Sequence, residues 1–185
     1  MKELKQQLLK KLGEPVSKHG YSKKPKGQDL LRNLDGIRHC LHLSFIDHQI
    51  DLDVTVYFAV RFNEVEELVN FSNTLLTNKE KKETYTLGIE LGNLTQGKQM
   101  RWRLEKEEQI NEVANLIYQE FKKFCLPYLE QYSNMEKAYS ILLRDDKEGW
   151  IHCPIHVSRA MRAVALGKIL RQDNLLDLIE TKKSS

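Results

Sequence analysis

The sequence is poor in cysteine and has no long hydrophobic run. Its 3 cysteines, Cys40, Cys125 and Cys153, are far apart and form no C-x-x-C pair, so neither a disulfide framework nor a four-cysteine zinc site is expected. No apolar stretch approaches the roughly 18 residues that span a bilayer. Met1–Gln7 also lacks the apolar core of a signal peptide. These absences predict a cytoplasmic protein that does not enter a membrane.

The chain also lacks a strong excess of positive or negative charge. Lys and Arg number 29 against 26 Asp and Glu, and the only dense basic run is Ser22–Gly27. This slight excess does not favour a nucleic-acid-binding protein. The chain contains no P-loop, no Gly-rich dinucleotide fingerprint, no HExxH and no G-x-S-x-G motif. We therefore expect no cofactor, and the motifs alone identify no enzyme class.

What is present fits one domain, residues 1–185, of the α+β class. Hydrophobic residues make up 41% and charged residues 30% of the chain, as in ordinary globular proteins. The periodicities predict an antiparallel sheet of about five strands, in two hairpin units, within residues 28–104. They predict helices over residues 107–180, and helices packed mainly on one face of the sheet.

The first three strands are predicted as Gln28–Leu34, Ile37–Asp47 and Ile50–Phe62, the last from a long alternation of apolar and polar residues. A tight turn at Asp35-Gly36 would place Leu30 opposite Leu41. A second turn near His48-Gln49 would place Phe45 opposite Leu52. Both registers put the large apolar side chains on the same face.

Later segments predict a second hairpin and several helices. Tyr85–Leu91 and Met100–Leu104 alternate like paired strands, and Asn63 with Glu66 matches a capping box. An N-terminal helix is expected to break near Gly13 and Pro15, and a long helix to bend near Pro127. The last helix is expected to run from Pro154 to about Gln172, after a loop over residues 144–149.

Four polar residues share the face of the sheet opposite the apolar one: Asp29, His42, Ser44 and Asp53. The registers place Asp29 opposite His42 and Ser44 opposite Asp53, and a Ser, a His and two Asp on one patch suggest a hydrolase. However, His42 and Ser44 lie two apart on one strand, so their side chains would be roughly 7 Å apart and out of hydrogen-bond reach. A flat, polar sheet surface is the simpler expectation.

Three potential metal ligands, His152, Cys153 and His156, lie within five residues. A structural zinc site usually has four ligands, and the other cysteines are distant in sequence. We therefore expect no metal, and an ordinary helix start with a buried cysteine at this segment.

Two pairs of arginines are candidate binding residues. Arg101 and Arg103 flank Trp102, an arrangement that could stack a nucleic-acid base, although the strand parity points Trp102 inward and favours ion pairs to the acids of the sheet. Arg159 and Arg162, with His156, form a cationic stripe on the last helix. It could bind an acidic partner or a phosphate, and a solvated helix face is the default.

An N-terminal helix followed by Lys18-His19-Gly20-Tyr21-Ser22-Lys23-Lys24, long alternating strands, and Leu87-Gly88 with Trp102 occur together in this chain. This combination, over about Leu4 to Leu104, resembles an uncharacterised bacterial family, domain of unknown function 4304. An aromatic residue, often Phe, is usual at the position of Tyr21. The resemblance implies a bacterial α+β domain and transfers no activity or catalytic residue.

Three function hypotheses follow. The first is a non-enzymatic binding or regulatory protein, of the immunity type for example, whose partner is another protein. The second is a hydrolase-like enzyme that uses Asp29, His42, Ser44 and Asp53. The third, less favoured, is nucleic-acid binding through Arg101, Arg103 and the basic loop. The sequence leaves the oligomeric state and the packing of the C-terminal helices open.

Overall fold

The computed structural model describes residues 1–173 and 175–184. It is an α+β fold with one open antiparallel sheet and a helical C-terminal part, as predicted. The strands are β1 (Asp29–Asn33), β2 (Ile37–Asp47), β3 (Leu52–Phe62), β4 (Leu87–Glu90) and β5 (Trp102–Leu104). The helices are α1 (Lys2–Ser17), α2 (Asn63–Asn70), α3 (Asn78–Lys81), α4 (Leu91–Thr95), α5 (Ile110–Glu120), α6 (Leu126–Gln131), α7 (Met135–Leu143), α8 (Lys147–His152), α9 (His156–Ile169) and α10 (Leu175–Ser184).

The first predicted register is confirmed and the second is wrong by two residues. Leu30 pairs with Leu41, but Phe45 pairs with Val54 rather than Leu52. The connection spans residues 48–51 and is closed by the His48 N–H, which donates to the Asp51 carbonyl at 2.9 Å. A shift of two residues preserves the face of each side chain, so the predicted apolar face survives the error.

The predicted second hairpin does not form. Both β4 and β5 pair with the free edge of β3: Ile89 lies opposite Phe58, and Trp102 lies opposite Val54. The chain turns into α4 directly after β4, and the Glu90 carboxylate accepts hydrogen bonds from the backbone N–H groups of Gly92 at 2.9 Å, Asn93 at 2.8 Å and Met100 at 3.0 Å. This buried carboxylate replaces the hairpin turn that the alternation suggested.

The core lies on one face of the sheet, as expected. Leu41, Leu43, Val54, Val56 and Phe58 are fully buried, and α1, α5 and α6 pack over them. The long alternation of apolar and polar residues in β3 therefore reflects one face that lies in the core and one polar face.

The opposite face is partly covered. The connection that contains α3 crosses it: the Arg38 guanidinium donates to the Lys82 carbonyl at 2.5 Å and lies 5.1 Å from the centre of the Tyr85 ring. We call this side of the sheet the outer face.

Several helix boundaries differ from the sequence expectation. Helix α1 continues through Gly13 and Pro15 to Ser17. Asn63 is the first residue of α2 rather than its cap, because its side-chain oxygen accepts from Arg61 Nε at 3.1 Å. A capping box occurs instead at Thr77, with Glu80.

The bend expected near Pro127 is a π-helical segment, Phe121–Cys125, between α5 and α6. A proline ring clashes with the carbonyl four residues earlier, and the wider π turn relieves that clash.

Helix α9 ends at Ile169, earlier than predicted, and Arg171 follows with φ 54°. Helix α8 occupies part of the predicted loop, because Asp146 accepts from the Gly149 N–H at 3.2 Å and caps it. No helix among the described residues is long and apolar enough to cross a membrane.

We predict that Val56→Asp unfolds most of the domain, because it places an unpaired carboxylate in the core and costs more than about 4 kcal/mol. Ile50→Asp is the matched control: Ile50 has the same parity but lies in the turn and is 77% exposed. Chemical denaturation should show a cooperative, near-native transition for Ile50→Asp only. A cooperatively folded Val56→Asp variant would contradict the assignment of this face as the core.

A second prediction concerns acid stability. His39 is buried, its Nε2 lies 2.6 Å from Ser133 Oγ, and burial, helped by Arg32, lowers its pKa to about 4. Between pH 6.5 and 4 the unfolded chain therefore binds the extra proton, and folding loses up to about 3 kcal/mol as the pH falls. His39→Gln should reduce the dependence of unfolding free energy on pH in this window, and the remainder should include a contribution from His152, whose pKa burial also lowers to about 4. An unchanged slope would show that His39 does not carry it.

Candidate functional site

Asp29 and His42 form the one polar pair of the predicted patch that the structure brings together. They lie opposite each other on β1 and β2, as the register predicted. Asp29 Oδ1 is 2.7 Å from His42 Nδ1, and both side chains are partly open to solvent, 30% and 39% exposed respectively. The pair lies on the outer face, where a ligand can reach it.

The surface above this pair is concave, so the expectation of a flat face is wrong. A cleft of about 680 Å³ opens between the sheet and the α3 connection. We call it the outer-face cleft. Its lining includes Lys26, Gln28, Asp29, Cys40, His42, Tyr57, Lys79, Glu83 and Tyr85. A concavity of this size falls in the range of small-molecule sites.

Cys40 lies in the floor of the outer-face cleft, two residues before His42. Its thiol is buried, and burial raises its pKa to about 12, helped by the nearby Asp29 carboxylate. Tyr85, whose own pKa burial raises, is close to the same thiol. A thiol held in its protonated form is a poor nucleophile, so a Cys–His–Asp catalytic set is not formed here.

Ser44 and Asp53 do not join the Asp29–His42 pair. Because the second register is shifted, Ser44 lies opposite Thr55 and not Asp53. Asp53 instead contacts Arg101 Nη1 at 3.1 Å and His48 Nε2 at 3.4 Å. Burial alone would raise the pKa of Asp53, and hydrogen bonds from Arg101 and His48 lower it. The predicted four-residue patch therefore does not form as one cluster: Asp29 pairs with His42, and Asp53 pairs with Arg101 and His48.

Arg101 and Arg103 are outward-facing and ion-paired, as the strand parity indicated. Arg101 pairs with Asp53, and Arg103 pairs with Asp51 and, at 3.0 Å, with Glu105. Trp102 packs against the core on the other side. Both guanidinium groups are therefore already paired with carboxylates, whereas the stacking of a nucleic-acid base between two cations would require them to be free.

The expectation of a solvated cationic stripe on the last helix is wrong. Arg159 is fully buried and donates to the carbonyls of Arg144 at 3.0 Å and Cys153 at 2.9 Å and to Asp145 at 3.1 Å. Arg162 makes a two-point contact with the buried Glu66 carboxylate, at 2.8 and 3.0 Å. Both arginines are therefore structural cations that join α9 to its neighbours.

The residues considered as metal ligands point to different partners. His152 Nδ1 lies 2.7 Å from the Tyr128 hydroxyl. His156 Nε2 lies 3.6 Å from Asp145 Oδ1, and Cys153 is buried beside Arg159 and Arg162. Within the described part of the chain, no group of three or more His, Cys, Asp or Glu side chains could hold a metal ion. All three cysteines are unpaired and buried.

The sequence analysis missed most of the cleft lining. Cys40 and Tyr57 share the parity of His42, and the corrected register puts Tyr57 directly opposite His42. Parity already predicts that Tyr57 lies on the outer face, and the same argument could have found Cys40. The α3 connection contributes Lys79, Glu83 and Tyr85. No pattern in the sequence indicates that this connection returns over the sheet.

Comparisons with protein-family models, curated proteins and solved structures find no match to this chain. The resemblance to domain of unknown function 4304 therefore stays a prediction, and the site must be interpreted from its own geometry.

The buried pair on α9 generates a stability prediction. Burial alone would raise the pKa of Glu66, but hydrogen bonds from Arg162 lower it. Arg162→Met leaves this carboxylate buried and unpaired, and should cost about 3–5 kcal/mol of unfolding free energy. The double variant Glu66→Gln with Arg162→Met removes both charges and should recover a large part of the loss. Additive losses in the double-mutant cycle would contradict direct coupling.

Proposed function

We propose that the protein is a hydrolase-type enzyme that acts on a small polar substrate in the outer-face cleft. The observation that carries the proposal is the 2.7 Å contact between Asp29 Oδ1 and His42 Nδ1, which lies inside a cleft of about 680 Å³. An imidazole that is oriented by a carboxylate and open to a ligand-sized cavity is a common general base.

The proposed chemistry is attack by water. The Asp29 carboxylate accepts the Nδ1–H of His42, so Nε2 carries the free lone pair. Nε2 takes one proton from a water molecule as the water oxygen bonds to the electrophilic centre of the substrate. The imidazolium, stabilised by Asp29, then returns that proton to the leaving group as its bond breaks, and the base is regenerated.

Two side chains that could act as nucleophiles are unsuited to the role, which favours water. The Cys40 thiol is buried and protonated. Ser44 is not among the residues that line the cleft and lies two residue pairs further along the strands than His42. Covalent catalysis would require one of them within reach of Nε2.

The cleft wall favours a substrate with hydrogen-bonding groups. Tyr57 is 37% exposed, and its hydroxyl accepts from Gln99 Nε2 at 3.2 Å. Lys26 is paired with Glu83 at 3.2 Å, so the wall presents both signs of charge. A purely apolar substrate would gain little from these groups.

The tautomer of His42 is a test that needs no substrate. Nitrogen NMR of the imidazole should show the neutral ring protonated at Nδ1 in the wild-type protein. Asp29→Asn should abolish this preference. A wild-type ring protonated at Nε2 would leave no lone pair facing the substrate and would contradict the general-base role.

A kinetic test uses p-nitrophenyl acetate and p-nitrophenyl phosphate as probes. His42→Gln should lower the hydrolysis rate of a turned-over probe by about 10²–10⁴-fold, the usual contribution of a general base. Ser44→Ala is the matched control on the same strand and should leave the rate unchanged. Equal rates for wild type and His42→Gln would count against the proposal.

Recognition of another protein is the second candidate function. It is supported by Leu68, Val157 and Met161, which line one groove of about 480 Å³ between α2 and α9 and are 42%, 64% and 44% exposed. Exposed apolar surface that is contiguous often marks a protein-binding site. If so, Met161→Asp should abolish capture of a defined partner from a native lysate, and His42→Gln should not. A bacterial origin and a cytoplasmic location stay predictions.

A further inference from the structure

A second cleft, of about 590 Å³, lies among the helices. We call it the helical cleft. It is lined by an aromatic and apolar part that includes Phe124, Tyr128, Tyr132 and His152, and by a polar part that includes Lys123, Lys147 and Glu148. It shares no lining residue with the outer-face cleft, so it is a separate site.

Three stacked or tilted rings form one wall of the helical cleft. Their centres are 4.7 Å apart for Tyr128 and Tyr132, 5.4 Å for Tyr128 and His152, and 5.2 Å for Tyr132 and His152. The ring planes of Tyr128 and His152 are nearly parallel, at 17°. Tyr132 is only half-buried, so a planar ligand can extend this stack at Tyr132.

The hydrogen bond between Tyr128 and His152 fixes which nitrogen carries the proton. The Tyr128 hydroxyl is buried, and its one partner among the described residues is His152 Nδ1, at 2.7 Å. If Nδ1 were the donor, the phenol hydrogen would have no acceptor, at a cost of about 1–3 kcal/mol. The phenol therefore donates to Nδ1, and His152 is protonated at Nε2.

This Nε2–H is a neutral donor that no described residue uses. Burial lowers the pKa of His152 to about 4, so the ring is uncharged at neutral pH. In the described part of the chain, the buried side-chain polar atoms without a partner are Arg38 Nε and His156 Nε2. His152 Nε2 is not one of them, so it is not fully buried, and His152 is a lining residue of the helical cleft.

Two lysines line the helical cleft. Lys123 and Lys147 have no ion-pair partner among the described residues, and Glu148 is the one acid beside them. Lys123 Nζ lies 4.8 Å from the centre of the Phe124 ring. Lys123 and Phe124 both belong to the π-helical segment. Such local irregularities often occur at functional sites.

We propose that the helical cleft binds a small planar aromatic ligand that carries an anionic group. The ring stacks on Tyr132 and Phe124, an acceptor atom on the ligand receives the His152 Nε2–H, and the anion lies between Lys123 and Lys147. The cleft volume is in the range of small-molecule sites, and each ligand part matches one observed feature of the wall.

The test titrates the full chain with adenosine 5′-monophosphate and indole-3-carboxylate, which combine a ring with an anion. Adenosine and indole are the neutral-ring probes, and inorganic phosphate is the anion-only probe. We expect at least one ring-plus-anion probe to bind about tenfold or more tightly than its neutral ring and than phosphate. Its binding should shift the NMR signal of His152 Nε2–H.

Variants locate the binding. Lys147→Ala is an exposed change that should leave the fold intact and weaken the bound probe about tenfold. His152→Phe keeps a ring but removes the donor, and should also weaken it. Lys79→Ala, at the other cleft, is the matched control and should have no effect. Absence of binding at millimolar probe, equal binding of neutral and anionic rings, or an unchanged affinity in folded Lys147→Ala would overturn the proposal.

Discussion

Strand β3 is hydrogen-bonded along both of its edges, and the rest of the structure depends on this constraint. β2 pairs with it along its whole length, while β4 and β5 share the opposite edge. Side chains alternate along a strand, so the burial of Val56 in the core fixes Tyr57 on the outer face. The sheet therefore fixes the floor of the outer-face cleft, while the rest of its lining, Lys26 to Gln28 and the α3 connection, lies outside the strands.

The sequence could predict what depends on parity and on local turn chemistry. Asp35-Gly36 is a strong turn signal, and the pairing of Asp29 with His42 follows from it. The turn between β2 and β3 has no such dipeptide, so its length could not be predicted correctly. Because the predicted register differs from the observed one by two residues, each side chain still lies on the predicted face. Arg162 and Glu66 are 96 residues apart in the chain. No periodicity can reveal that an arginine on a polar helix face is buried against a distant carboxylate.

Buried ions specify the position of α9. Arg159 joins it to the connection before α8 through Asp145 and the Arg144 carbonyl, and to the end of α8 through the Cys153 carbonyl. Arg162 joins α9 to α2 through Glu66. Burying these charges costs several kcal/mol each unless every donor has a partner, so small displacements of α9 are unfavourable. Apolar packing alone would tolerate such displacements more easily. This leaves Val157 and Met161, on another part of α9, exposed rather than used in the core.

The two clefts each contain a histidine whose Nδ1 is held by a neighbour, and the chemistry of that neighbour separates their roles. Asp29 is a carboxylate in an open cleft, and it stabilises the positive ring that forms when His42 accepts a proton. Tyr128 is a buried phenol that carries no charge, and burial keeps His152 neutral with a pKa of about 4. In the proposed reaction, His42 takes a proton from water and returns it, whereas the proposed role of His152 is to present a fixed donor to a ligand. The charged neighbour of His42 supports the first proposal, and the neutral neighbour of His152 supports the second.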